Sequence, residues 1–244
     1  MNTATKRRQR GAALLMLLTI FGVLGAFFAM RTLGSASQQI TQITDATAAL
    51  SQAKDALIGF AASHSQTGAP GTRPYLPCPD KRAAAGLGTA NDGREDRNVV
   101  TGVCVVQEGN LPWVDLGLAG TDSWSSRLRY SVTAAFSNSV SGMQLTSVGT
   151  LTVNNAAGAA LATALPLVVI SHGPNRWGAT GGTGVIVTLP PAANVNEREN
   201  TDGDTVFVSS PPVAAGGAGG EYDDLTAWLT TAILLARMQQ AGKL

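Results

Sequence analysis

Histidine occurs twice and cysteine twice in this chain of 244 residues, aromatic residues make up 5% of it and charged residues 14%. Each shortage removes a class of function. Two isolated histidines and the lack of a His-Glu-x-x-His spacing leave no zinc hydrolase motif. The glycine run Gly178–Gly184 lacks the Lys-Ser/Thr that a phosphate-binding loop requires, and it reads as a flexible loop. No Gly-x-Ser-x-Gly turn surrounds Ser171, so the neighbouring Ser171 and His172 lack a nucleophile elbow. A histidine that caps a turn is the simpler reading, and no reaction is assigned to the chain. Net charge is +1, and four of the 17 basic residues (Lys6, Arg7, Arg8 and Arg10) precede residue 11. That leaves no basic surface elsewhere for nucleic acid.

Apolar residues are plentiful instead, at 44% of the chain, enough for one core of ordinary domain size. From Gly11 to Met30 no charged residue occurs, and twenty such residues in a helix reach about 30 Å, the thickness of a bilayer's hydrocarbon. The run exceeds the roughly 7–15 apolar residues of a secretory signal, although "TLGSAS" after it offers a cleavage site. Basic residues before the run place the N-terminus in the cytoplasm and the rest across the membrane. The expectation is a single-pass protein of a bacterial inner membrane.

A basic leader, then Gly11, then "AALLMLL" resembles the N-terminal signal of type IV prepilins and type II secretion pseudopilins. The resemblance implies cleavage by a prepilin peptidase between Gly11 and Ala12, methylation of Ala12, and assembly with other pilin or pseudopilin subunits in a type IV pilus or pseudopilus. The family usually carries a glutamate five residues past the glycine, where this chain has Met16. A carboxylate in hydrocarbon persists only when paired, so Met16 implies a minor subunit. The implied organisation is a leader over 1–11, a transmembrane helix over 12–30, an amphipathic helix over 31–62 and a periplasmic head over 63–244.

Ile40, Ile43, Ala46, Leu50, Ala53, Leu57 and Phe60 recur at three- and four-residue steps, the mark of a one-sided helix. Alternation at Leu128, Tyr130 and Val132 predicts a strand, and further strands are expected over 148–153, 166–171, 183–189 and 205–209. "TDSWSSRLRY", "LPLVVISHGPNRWGATGG" and "ENTDGDTVFVS" are similar to head segments of the major pseudopilin, with Ser125 and Arg127 where that family has glycine and proline. The segment "DDLTAWLTTAILLARMQQAG" reads as a C-terminal helix capped by Asp223 or Asp224. The fold class expected is α+β: a long N-terminal helix, half in the membrane and half amphipathic, packed on an antiparallel sheet, with an extra helix at the C-terminus.

Two sites remain. Cys78 and Cys104 read as one disulfide closing a loop of about 27 residues, since a metal or catalytic thiol pair needs closer spacing or a histidine. Asn200, Asp202 and Asp204 alternate in "NTDGD", and Glu221, Asp223 and Asp224 follow in "EYDD". These hard oxygens suit calcium, but the twelve-residue calcium loop is absent, and a solvated turn followed by a helix cap is the simpler reading. "NDGRED" at 91–96 is a lesser acidic segment. A signal-anchored periplasmic binding or hydrolytic domain, with Ser171 and His172 or the acidic loop at its site, is the competing function.

Overall fold

The computed structural model describes residues 4–66 and 73–244, with side chains for 14–24, 38–66 and 73–244. The first element is helix α1 (Ala4–Ser63). Contacts within the chain divide it into one unit over Met1–Thr44 and a second over Asp45–Leu244.

The first unit corrects the sequence reading. Among the described residues no helix is long and apolar enough to cross a membrane. The described apolar run from Leu14 to Leu24 amounts to about 16 Å of helix, roughly half of a bilayer's hydrocarbon. The transmembrane half over 12–30 and the single-pass inner-membrane placement are therefore not borne out. Gly11 and Ala12 lie outside the residues whose side chains are described.

In the second unit, α1 behaves as its periodicity predicts. Ala46, Leu50, Ala53, Leu57, Phe60 and Ala61 are buried, whereas Ile40, in the first unit, stays 67% exposed. The strands are β1 (Glu108–Asn110), β2 (Arg129–Val132), β3 (Leu151–Asn154), β4 (Ala160–Leu165), β5 (Leu167–Ser171), β6 (Val206–Val208) and β7 (Leu225–Leu229). Short helices α2 (Ala134–Ser137) and α3 (Val195–Glu199) and the ten-residue α4 (Thr231–Gln240) complete the unit.

The strands form two sheets where one was expected. The first has order β1-β2-β5-β7 and is antiparallel throughout. The second has order β4-β3-β6 and is mixed, because β3 runs parallel to β6. Alternation along the strands explains the layering. Leu167 and Val169 of β5, Tyr130 and Val132 of β2, and Leu229 of β7 share a core with Leu50, Leu57 and Ala61 of α1 and with Leu234 and Met238 of α4. Val168 and Ile170 face the opposite way and meet Leu151, Val153, Leu165 and Phe207 of the second sheet. The fold class is α+β, but the long helix of the expectation, apolar over half its length and packed on a single antiparallel sheet, is not what the structure contains.

Two local expectations also fail. The segment 183–189 forms no strand; it carries one bridge, between Thr180 and Ile186, and is tied to 178–181 by backbone hydrogen bonds such as Val187 N–H to the Ala179 carbonyl and Gly178 N–H to the Thr188 carbonyl. The C-terminal helix starts at Thr231, since Leu225–Leu229 pairs residue by residue with β5. Its cap is Thr230, whose side chain accepts from the Ile233 backbone N–H, in place of Asp223 or Asp224.

Cys78 and Cys104 are bonded, with Cα atoms 5.2 Å apart, and both sulfurs lie in the first core. The segment around Cys78 adds to the edge of the first sheet. Asp80 and Asn110 exchange backbone hydrogen bonds of 3.0 and 2.7 Å. Gly109 permits the approach, since a Cβ there would sit 2.3 Å from the Asp80 carbonyl oxygen.

Candidate functional site

Ser171 ends β5 with its side chain fully buried, and its hydroxyl donates to Asp122 Oδ2 at 2.6 Å. The other oxygen of Asp122 accepts from the backbone N–H groups of Trp124 and Ser126, so the carboxylate closes a turn and ties it to the strand. His172 takes a different partner, Asp224, with Nδ1 3.2 Å from Oδ1 and both side chains 1% exposed. A nucleophile needs its base within hydrogen-bonding reach, and here serine and histidine are each engaged with a separate carboxylate. The pair has the geometry of two structural ties.

The residues expected to bind calcium separate into two places. Asn200 is buried, and its amide acts as a strand neighbour to Val208: Oδ1 accepts from the Val208 N–H at 2.8 Å and Nδ2 donates to its carbonyl at 3.1 Å. Nδ2 also donates to Asp224 Oδ2 at 2.8 Å. Asp202 and Asp204 are exposed, cap the backbone N–H groups of Asp204 and Val206, and gather with Glu199. Asp223 belongs to another group, with Glu197 and Asp224. Glu221 is half-buried beside that group and acts on it through its charge. The two-residue spacing of "NTDGD" thus produces turn caps, which is what short acidic side chains do in an exposed loop.

The second group brings acids together beneath the surface. Glu197 comes from α3, and Asp223 and Asp224 immediately precede β7. One carboxylate oxygen from each of the three lies within 4.8 Å of the other two. Glu197 is 1% exposed and Asp224 4%. Both oxygens of Asp224 are engaged, by His172 and Asn200, whereas the surrounding donors serve only part of the Glu197 and Asp223 carboxylates. Glu197 Oε1 accepts from Asn175 Nδ2 and from the Asp223 N–H, both at 2.8 Å, and Asp223 Oδ2 accepts from the Asn175 N–H at 3.2 Å. Glu197 Oε2 and Asp223 Oδ1 are buried with no hydrogen-bond partner. Gly173 makes room for this, since a Cβ there would fall 2.4 Å from both the carbonyl oxygen and Oδ1 of Asp223.

The electrostatics follow from burial. Loss of water raises the Glu197 carboxyl to about 7, aided by the charge of Asp224. Burial likewise raises Asp223 to about 8, with Glu197 the next cause. Sequence reasoning found Asp223 and Asp224, either of which it also read as a helix cap, but missed Glu197. The available signal was weak: a glutamate within the charged stretch "NEREN", 26 positions from the aspartate it meets.

The lesser acidic segment, 91–96, serves the loop it belongs to. Asp96 accepts from the backbone N–H groups of Lys81 and Thr89, and the buried Lys81 ammonium donates to the carbonyls of Ala85, Gly86 and Leu87. Asp80 accepts from the N–H groups of Asn91 and Gly93. A lysine at the centre of three carbonyls occupies the place where a cation-binding loop would put its ion.

The chain matches no family model, no curated protein and no solved structure.

Proposed function

We propose that this chain is a prepilin-like minor subunit of a type IV pilus or a type II secretion pseudopilus, cut after Gly11 by a prepilin peptidase and assembled with other subunits through its N-terminal helix. The observation that carries this reading is the sequence of basic leader, glycine and apolar helix. Of its described side chains, Leu14, Leu15, Met16, Leu17, Leu18, Phe21, Val23 and Leu24 are all more than half exposed. Apolar surface of that extent on a helix is stabilised when neighbouring helices cover it, which is what assembly of sister subunits supplies. Met16 needs no amine partner from a neighbour, consistent with a subunit that occurs once or rarely in a filament. The buried, separately engaged Ser171 and His172 weigh against a hydrolytic domain.

Co-expression with a prepilin peptidase tests the reading by intact mass. The expected product is shorter by eleven residues and carries a methyl group on Ala12, and Gly11→Ala should keep the full-length mass. An unshortened wild-type chain beside a control prepilin that is cut would refute the proposal.

A further inference from the structure

We propose that Arg82, Arg127 and Arg129 form a site for one small oxyanion of the phosphate class. The site lies beside the turn 178–182, on the face of the first sheet turned away from α1.

Strand alternation brings two of the three together. Leu128, Tyr130 and Val132 point into the core shared with α1, so Arg127, Arg129 and Ser131 face the other way. Arg82 reaches the same place from the loop that follows Cys78. Its Nε donates to Thr180 Oγ1 at 2.9 Å and its Nη2 to the Gly178 carbonyl. Thr180 is buried, and its carbonyl accepts from the Arg127 backbone N–H at 2.8 Å. The Arg127 side chain donates to the Gly182 carbonyl at 3.0 Å and lies over the Trp113 ring, 3.7 Å from its centroid.

Charge is the first sign of a ligand. Arg127 and Arg129 are 9% and 5% exposed, and Arg82 is half-buried. Among the described residues the carboxylate paired with this group is Glu108, through Arg129 Nη2. Burial first, and then the charge of Arg129, lower the Arg82 guanidinium to about 10, with Glu108 opposing. Burial lowers Arg127 as well, against the charge of Asp80. Asp80 is already committed to the N–H groups of Asn91 and Gly93 and to the Asn110 amide. Arg176, bonded to Ser125 and Ser126 across the turn, adds a further cation. Cations therefore outnumber the acids within their reach.

Orphaned donors are the second sign. Arg127 Nε, Arg129 Nε and Arg129 Nη1 are buried with no hydrogen-bond partner. An unmet buried donor is costly, and more so on a charged group. An oxyanion accepts at every oxygen, and guanidinium groups match it in charge and in planar geometry. Glu108, a planar carboxylate, already takes one Arg129 nitrogen, whereas a tetrahedral ion offers oxygens in several directions to donors on different edges. Bound there, the ion ties the loop of Arg82 to β2 and to the turn 178–182. Access runs along Arg82, since residues 83–89 beyond it are exposed.

The test uses the full chain in chloride buffer at pH 7 and constant ionic strength, titrated with sodium phosphate by calorimetry and thermal melting. One equivalent should bind, and at a hundredfold excess over Kd the Tm should rise by about 5–10 °C. Glycerol phosphate in a parallel titration separates the sources: an equal response supports a phosphate group carried by a larger molecule, and a response to inorganic phosphate alone supports a free ion. Arg82→Gln relieves the repulsion on Arg129, so it should fold, and it should weaken phosphate binding about tenfold or more, as expected for lost bonds to a charged group. Arg129→Gln combined with Glu108→Gln removes the ion pair as a unit and should abolish the response. Arg73→Gln and Lys243→Gln, at a cleft near the C-terminus, should respond as the wild type does, which separates the site from general stabilisation by phosphate salts. Absence of heat and of any saturable Tm rise up to about 10 mM phosphate, well above a weak millimolar Kd, would overturn the proposal. So would unchanged affinity in Arg82→Gln, or a response that disappears in the Arg73 and Lys243 variants.

Discussion

Reducing the Cys78–Cys104 bond should lower the melting temperature of the protein by about 7–14 °C without dissolving its fold. The magnitude comes from the closed loop. A cross-link across about 27 residues removes roughly 3.5 kcal/mol of chain entropy from the unfolded state. In a protein of this size, one kcal/mol moves Tm by about 2–4 °C. The native side of the balance changes little, because the loop has other ties. Glu95 Oε2 accepts from the Cys78 N–H at 2.9 Å, and the Val105 N–H donates to the Asp96 carbonyl at 2.9 Å. Arg97 pairs with Glu95 at 2.7 Å and donates to the carbonyls of Leu76, Gly102 and Ser137. These contacts keep the reduced loop in place, so the loss is confined to the denatured ensemble. The assay is circular-dichroism melting of protein with and without reductant, with thiol titration on both samples. Two titratable thiols together with a Tm change below about 2 °C would refute the argument, since the bond would then restrict no conformational freedom that folding has to overcome.

Two further outcomes depend on single side chains. Burial raises Asp80 to about 6 from its ordinary 3.8. A carboxyl raised in the folded state favours folding below pH 4, and this contribution is lost as pH rises through 6. The loss is at most about 3 kcal/mol, from 1.36 kcal/mol for each pH unit. Urea unfolding of wild type and Asp80→Asn between pH 4 and pH 6.5 should show the steeper decline in the wild type, and parallel slopes would contradict it. Thr230→Ala should destabilise by about 1 kcal/mol, because Thr230 caps α4 through the Ile233 N–H. Were 223–242 one continuous helix, the same change would stabilise by a few tenths of a kcal/mol, since alanine is the better helix former. The sign of the shift in a chemical melt therefore decides between cap and interior.

That fork at Thr230 shows why part of the fold was legible in the sequence and part was not. The stripe Ala46, Leu50, Ala53, Leu57 and Phe60 has one period, and it became the buried face of α1. Tyr130 and Val132, and the run Leu167–Ser171, could only be strands of a core sheet. In contrast, Leu225, Trp228 and Leu229 satisfy the helical period, while Leu225, Ala227 and Leu229 satisfy the strand period. What decides between them is pairing with β5, from Leu167↔Leu229 to Ser171↔Leu225, a partner more than fifty residues away. The alanine-rich β4 is similar: a helical composition is overridden by pairing with β3.

The acidic residues follow the same logic at higher cost. Local spacing drew attention to Asp202 and Asp204, yet local spacing is also what makes turn caps, and they became exactly that kind of exposed cap. Glu197 and Asp223 carry no mutual spacing signal. They meet only because α3 packs beside β6, Asn175 reaches both carboxylates, and Gly173 leaves room for Asp223. A folded chain that gathers three acids beneath its surface and withholds donors from two of their oxygens bears a desolvation cost that random packing would not select. The cost falls when one of the acids is made neutral, and for that reason Glu197→Gln, which keeps the acceptor used by Asn175 and by the Asp223 N–H, is expected to be no less stable than the wild type in a urea melt at pH 8; a loss above about 1 kcal/mol would contradict this account.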